Sequence, residues 1–582
     1  MAHVRGGRRG LALGPFLDRL SADLEAMNAE DLKRAILAHA AQLLPAEREP
    51  FLAMLGRTAP PRPDAGPLLD DIEDLLSRIR SGEFYDGYGW DDDIHAQRAF
   101  GDESWADEMD DLFGQAAGAF VSGDSDLAQR AYGRLLKAIW GGEESEHLSG
   151  AEDPTELLST DLHEAKSRYL RALYESTAPK ARVKALRDAY SEFWWSGGHV
   201  GLGDIQKARA EDLPGLAEFL PAWIKVLKSG TQGISESEAK RLLSEAVLTD
   251  EGVDGLARLA RESAATAPEF YLDLVRQLEA TDRNAAIAAA VEALSDGVPR
   301  GEVRAQIADR LAVLSADVSA QVTARREAWN AGPSADRLAA MANAALRSRD
   351  PEAVFGNEAD LLTQAGHARR DGPSARLTAT LLLLANRYDR AVDCARRAGR
   401  DWASADHPGY VVVPTLLAAA SVGSTLPRLD GSVLDDCLAD IDRSSWHDRM
   451  WQADVDAENG PTRAETGGRE SNPSLANLIK RRLPQAVGRS DRNRWMQAAT
   501  DLVMAAVGTV LGATHRRAYD RIARLTVAAG EAMTAFEDLH GDRFVAKVLA
   551  MYPRHTAFRR ELENAWRRSP AIGQSAPSRR VR

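Results

Sequence analysis

The dominant pattern in this chain is apolar residues at three- and four-residue steps, the period of amphipathic helices. Phe16, Leu17, Leu20, Leu24 and Met27 share one face, and Leu32, Ile36, Ala40 and Leu43 share the next. Asn28 suits the cap between them, and Pro45 ends the second run. Leu68, Leu69, Ile72, Leu75, Leu76 and Ile79 restart the pattern after the proline-rich TAPPRPDAGP at 58–67. Further stripes are Leu162/Ala165/Tyr169/Leu173, Val183/Leu186/Ala189/Tyr190/Phe193, Leu216/Phe219/Leu220/Trp223/Ile224/Leu227 and Val303/Ile307/Leu311/Leu314. Ser235 and Glu238 form a capping-box pair before Leu242. The fold class this predicts is all-α: an irregular α-solenoid of TPR-like helical hairpins with essentially no sheet.

Four stretches break the period. Residues 81–104 mix Gly, Asp and aromatics, which predicts a surface loop with a short helix. YVVVP at 410–414 is the one β-like run, and Pro414 argues against a central strand. The polar, Gly- and Pro-containing 453–474 reads as a flexible loop or linker, and 569–582 as a disordered tail. The expected organisation is a helical hairpin over 1–57, an acidic TPR-like region over 68–230 and a middle helical region over 231–452. The 453–474 linker, a basic helical region over 475–568 and the tail follow.

Charge is unevenly placed. The whole chain of 582 residues carries −14. Residues 51–150 hold 8 Lys/Arg against 21 Asp/Glu, a net of −13, and residues 451–582 hold 22 against 14, a net of +8. Such a split suits an acidic surface for a basic partner and a basic surface for phosphate or an acidic protein. The 44% hydrophobic content and 2 cysteines exclude a disulfide scaffold and a wholly disordered chain. Residues 1–14 lack a secretory h-region, and no run of ~18 apolar residues exists to span a membrane. A soluble cytoplasmic protein is expected, and abundant Ala, Arg and Asp suggest a GC-rich bacterial source.

Two segments have the small–turn–small–large order of tetratricopeptide hairpins. They are Ala116, Gly123, Asp124, Ala128, Tyr132 and Ala379, Asn386, Tyr388, Ala391, Ala395. No sustained period of about 34 residues joins them. YDGYGWDDD (85–93), GDSDLAQRAYGRLLKAI (123–139), YDRIARLTVAAGEAM (519–533) and YPRHTAFRRELENAW (552–566) together resemble the helical region of bacterial SWIM-zinc-finger proteins. The resemblance covers about the first 230 and the last 70 residues. It implies a helical scaffold. The family's finger needs C-x-C followed by C-x-H, but only Cys394 and Cys437 exist here. Its metal and any nucleic-acid role tied to it therefore do not carry over.

Catalytic signatures are missing. There is no H-E-x-x-H, no phosphate-cradling P-loop and no G-x-S-x-G elbow. GGHVGLG at 197–203 lacks dinucleotide-loop spacing and reads as a helix-connecting turn. Asp91, Asp92, Asp93 and His95 form the best acid–base or hard-cation cluster. Asp454, Asp456, Glu458 and Glu465 only approximate a calcium loop, because Gly460 falls one place late. Trp194, Trp195 and Trp223 suit core packing.

The expected function is therefore a non-enzymatic scaffold that binds another protein, with no cofactor and no membrane. Its candidate acidic partner surface is Asp86, Asp91, Asp92, Asp93, Asp107, Asp110 and Asp111. The first alternative is a nucleic-acid accessory role through Lys480, Arg481, Arg482, Arg492, Arg494, Arg517, Arg521 and Arg524. Arg517, Arg521 and Arg524 fall on one helix face, but a lone Trp495 offers no stacking platform and the net acidic charge opposes nucleic acid. The second alternative is a metal-dependent enzyme around Asp91–His95.

Overall fold

A computed structural model describes residues 19, 51 and 65–577, except 92–95, 141–142, 151–152, 194–197, 231–232, 296, 365–372, 422–430, 443–473 and 536–539. The expected hairpin over 1–57, the linker over 453–473, the approximate calcium loop, and Trp194 and Trp195 lie outside the described residues. Helices dominate, with one two-stranded sheet among the described residues. Contacts divide the chain into two compact units, the first ending at Glu262 and the second beginning at Ser263. The turn near residue 230, expected as a boundary, lies inside the first.

In the first unit, α1 (Ala65–Arg80) buries Leu68, Leu69, Ile72, Leu75, Leu76 and Ile79, the stripe the sequence sets at helical spacing. The described residues of 81–104 are not a loop with a short helix. They form a hairpin of β1 (Gly87–Asp91) and β2 (Ala96–Phe100), antiparallel, with Tyr88 opposite Ala99 and Trp90 opposite Gln97. Its base is closed by Gly101 at φ 146, where any Cβ would meet the Phe84 carbonyl. α2 (Trp105–Val121) and α3 (Ser125–Trp140) make the first expected TPR-like hairpin. Ala116, Ala128 and Ala131 are fully buried and let the axes approach. Gly123 turns the chain at φ 84, and Asp124 Oδ1 caps α3 by accepting from Leu127 N at 3.1 Å.

The unit continues through α4 (Leu162–Ser176), α5 (Arg182–Phe193), α6 (Leu202–Lys207), α7 (Leu216–Lys228) and α8 (Glu236–Ser263). Asp161 caps α4 through Glu164 N at 3.0 Å, and the Ser235 hydroxyl caps α8 through Glu238 N at 3.2 Å. α8 is two helices broken at Gly252, whose φ is 68 and ψ −163.

The second unit begins as a succession of helices, each packed on the next: α9 (Glu269–Glu279), α10 (Arg283–Ser295), α11 (Glu302–Leu314), α12 (Val318–Ala331) and α13 (Ala335–Arg347). This consecutive packing is consistent with a helical-repeat fold. α14 (Pro351–Gln364), α15 (Ala375–Leu384) and α16 (Tyr388–Arg397) lead into α17 (Gly409–Ser421). The β-like YVVVP run is the first half of α17, and every residue of that helix is buried. An all-apolar surface has no helical period to read, and burial on every side removes the need for one. α15, α16, α18 (Val433–Ala439), α20 (Arg489–Gly512) and α21 (Tyr519–Ala535) surround α17.

α19 (Leu475–Arg482), α22 (Gly541–Met551) and α23 (Thr556–Arg568) complete the unit. The expected disordered tail is instead folded over residues 569–577. Ile572 is buried, its carbonyl accepts from Trp566 Nε1 at 2.9 Å, and Ser569 Oγ donates to the buried Glu531 at 2.7 Å. Among the described residues no helix is long and apolar enough to cross a membrane.

Candidate docking surface

α1 and α2 pack side by side, and their outer faces leave a groove of about 240 Å³. Asp71, Asp74 and Leu75 line it from α1, and Glu108, Asp111, Leu112 and Gln115 from α2. Leu75 and Leu112 are the buried stripe residues of their helices, so the neighbouring positions turn carboxylates outward at helical spacing. Arg78 binds Glu108 with two hydrogen bonds of 2.8 and 3.2 Å and also reaches Glu83 at 3.0 Å. Asp71, Asp74 and Asp111 have no partner among the described residues.

The hairpin that links these helices exposes large aromatic surface. Tyr88 is 61% exposed, Trp90 59% and Phe100 36%. Single exposed apolar residues are ordinary, but three on one short hairpin within an acidic region are not. The hairpin is held firmly. Ala99 exchanges both backbone hydrogen bonds with Gly150, at 3.1 and 2.8 Å. Just after it, buried Trp105 donates from Nε1 to the Ser149 carbonyl at 3.1 Å, and Ser149 Oγ donates to the Asp102 carbonyl at 2.6 Å.

The expected acidic residues meet different fates. Asp86, Asp107 and Asp111 are exposed and unpaired among the described residues. Asp91 faces Arg98 at 3.6 Å. Asp110 is structural: it accepts from Ser159 N, Thr160 N and Thr160 Oγ1 at 2.8, 3.0 and 2.6 Å, fixing the approach to α4. Asp92, Asp93 and His95 lie outside the described residues. Sequence reasoning missed Asp71 and Asp74, although their position beside the leucine stripe of α1 was the signal.

The expected basic surface is largely taken up by the fold. Lys480 binds Asp435 at 2.5 Å. Arg482 makes a two-pronged pair with Glu352 at 2.5 and 2.9 Å, donates to the Leu384 carbonyl and covers the Phe355 ring. Arg494 pairs with Asp491 at 2.9 Å. Arg521 donates to the Ala403 carbonyl and lies over Tyr410, and Arg524 pairs with Asp440 and Asp520. Arg481, Arg492 and Arg517 alone remain unpaired among the described residues. Net charge counted along the sequence could not show this, because the balancing carboxylates come from distant segments.

A second cluster escaped the sequence reading. The stretch 198–201 leads into α6, whose first amides hold this chain's own carboxylate: Leu202 N and Gly203 N donate to Glu245 at 2.7 and 2.6 Å. His199 Nδ1 meets Glu238 at 2.9 Å, and His163 lies 3.7 Å from Asp204. Asp204 holds the His163 imidazole above its usual pKa, and burial pushes Glu245 up. Lys166 donates to the Phe193 and Gly198 carbonyls at 3.0 and 3.1 Å, and burial lowers it to about 8. These contacts anchor a turn. Among the described residues no group of three His, Cys, Asp or Glu can hold a metal ion. Cys394 and Cys437 are buried free thiols, pushed up by burial and poor nucleophiles. No protein-family model matches this chain, and no curated protein matches it either.

Proposed function

We propose that this protein is a non-catalytic helical scaffold whose first unit docks a basic partner protein. The observation that carries this reading is the exposure of Tyr88 and Trp90 on a well-anchored hairpin between the two helices of the acidic groove. Rigid aromatics contribute most at interface centres, and free carboxylates on the same unit favour a cationic partner and speed its encounter. The helical scaffold implied by the SWIM-type resemblance is of the same kind. Nucleic acid is the weaker reading, because five of the eight basic candidates already have carboxylate or carbonyl partners.

The test is capture from a nuclease-treated extract of the native host at ~0.15 M salt, where exposed charges act over about 8 Å. Wild type is compared with Tyr88→Ala/Trp90→Ala and with Asp71→Lys/Asp74→Lys/Asp111→Lys. One protein held by wild type, released by salt and lost from both variants at unchanged helicity is the expected result. Capture indifferent to both sets of substitutions, or abolished by nuclease, would overturn the proposal.

A further inference from the structure

The edge of the hairpin that lacks a partner among the described residues bears on the mode of docking. In an antiparallel pair, residues alternate between those that bond across the ladder and those whose amide and carbonyl point away. Ala99 directs both its N–H and its C=O to Gly150, away from β1. The Tyr88–Ala99 pair is therefore of the non-hydrogen-bonded kind, so the backbone groups of Tyr88, and of Trp90 two residues on, point away from β2. β2 is the element packed along β1, and neither Tyr88 nor Trp90 has a backbone partner among the described residues on its far side. One edge of this small sheet is thus paired with Gly150, and at the other the two donors and two acceptors of Tyr88 and Trp90 have no partner among the described residues. Such an edge is a template for another strand.

The side chains along that edge select what can pair there. Tyr88 and Trp90 follow at a two-residue step, the spacing of one face of an extended chain, and the exposed Asp86 stands just before the strand, beyond Gly87 at φ 126. Two exposed aromatic rings on one face, with a free carboxylate just before the strand, suit alternate guanidinium or ammonium groups that rest on the rings near an acid. The intervening positions, Gly87 and Gly89, carry no side chain. The Phe100 ring lies 3.4 Å from where a Cβ of Gly89 would stand, so the glycine face offers an added strand an aromatic floor. A second copy of this hairpin is disfavoured as the occupant, because the surrounding hundred residues carry a net of −13.

We propose that an extended partner segment with arginine or lysine at alternate positions adds to the free edge of β1 as a third strand. The proposal rests on the docking reading above and specifies its binding mode. Main-chain hydrogen bonds supply affinity in strand addition, and alternate side chains supply specificity.

The probe is a fluorescent nine-residue peptide alternating arginine and valine, titrated by anisotropy into the full chain at low salt. Two further peptides of identical charge carry N-methyl groups on all the arginines or on all the valines. An added strand offers one edge to β1, so one methylation pattern is expected to weaken binding by about tenfold or more while the other is tolerated. Trp90→Ala and Asp86→Asn are each expected to weaken the unmodified peptide. Equal binding of all three peptides would overturn strand addition and leave the docking reading standing. Failure of every peptide to bind would overturn both. A concentration-dependent dimer that the peptide does not displace would assign the edge to a second copy and overturn the proposal.

Discussion

Residues 51–150 and 451–582 carry opposite charge excesses, −13 and +8, and the fold treats them in opposite ways. In the first, Asp71, Asp74, Asp107 and Asp111 stand in solvent without partners among the described residues. In the second, Arg482 and Arg524 are only 11% and 12% exposed, each locked to a carboxylate, while Arg521 binds a carbonyl and covers a ring. The difference lies in where the opposite charge comes from. Glu352 and Asp440 belong to distant segments that the tertiary fold brings to these arginines. α1 and α2 instead bring acid against acid, and among the described residues Arg78 is the cation paired with that line of carboxylates, at Glu108. A local charge excess becomes an available surface only where the fold leaves it unbalanced.

The largest expected effect tests that contrast directly. Arg524→Met leaves the half-buried Asp440 without its partner and is expected to destabilise the second unit by about 3 kcal/mol, read from urea unfolding. Asp74→Asn and Asp111→Asn are expected to change stability by less than about 0.5 kcal/mol. Equal costs for these changes would erase the distinction between the two regions.

Acid sharpens the comparison next. His407 is 3% exposed and stacked on Trp402 at 3.9 Å, and burial holds its imidazole down to about 4. An unfolded histidine titrates near 6.5. The unfolded chain therefore binds the proton first, and stability present above about pH 6.5 falls as pH drops toward 4, by at most about 3 kcal/mol. The urea midpoint of the second unit should follow this slope, and His407→Gln should flatten it.

The smallest effect has the opposite sign and belongs to the first unit. Asp204 raises the His163 pKa, so the contribution of this pair is complete below about pH 6.5. It is lost as pH rises through the raised value. His163 is 45% exposed, so the loss should stay under about 1 kcal/mol. Hydrogen exchange in α6 should quicken on that rise in wild type and show no such step in His163→Asn. Equal exchange in both would remove this pair from the account.

Much of the helical layout was legible from local pattern. Ala116, Ala128 and Tyr132 are buried where the TPR-like spacing puts them, and the Ser235 hydroxyl caps α8 as the capping-box pair implies. Those features depend on neighbours three or four residues apart, which a sequence displays. The hairpin at 87–100 was not legible, because its two glycines and mixed polarity hide the period of two. Nor was α17, where Tyr410–Val413 looks like a strand and is helical because five other helices enclose it. Of the candidate site, Asp86, Asp107 and Asp111 could be named in advance. The exposure of Tyr88 and Trp90 could not, since aromatic residues are more often buried.

By itself the sequence determined the all-α class, many of the helix faces and the two charge excesses, because each follows from residue type and short-range spacing. Tertiary structure decided which charges and which sheet edge are left without partners among the described residues. Both depend on partners far along the chain: Glu352 lies 130 residues before Arg482, and Gly150 lies some fifty residues after Ala99. No local pattern encodes such meetings, because they exist only once helices with separately formed faces have packed together.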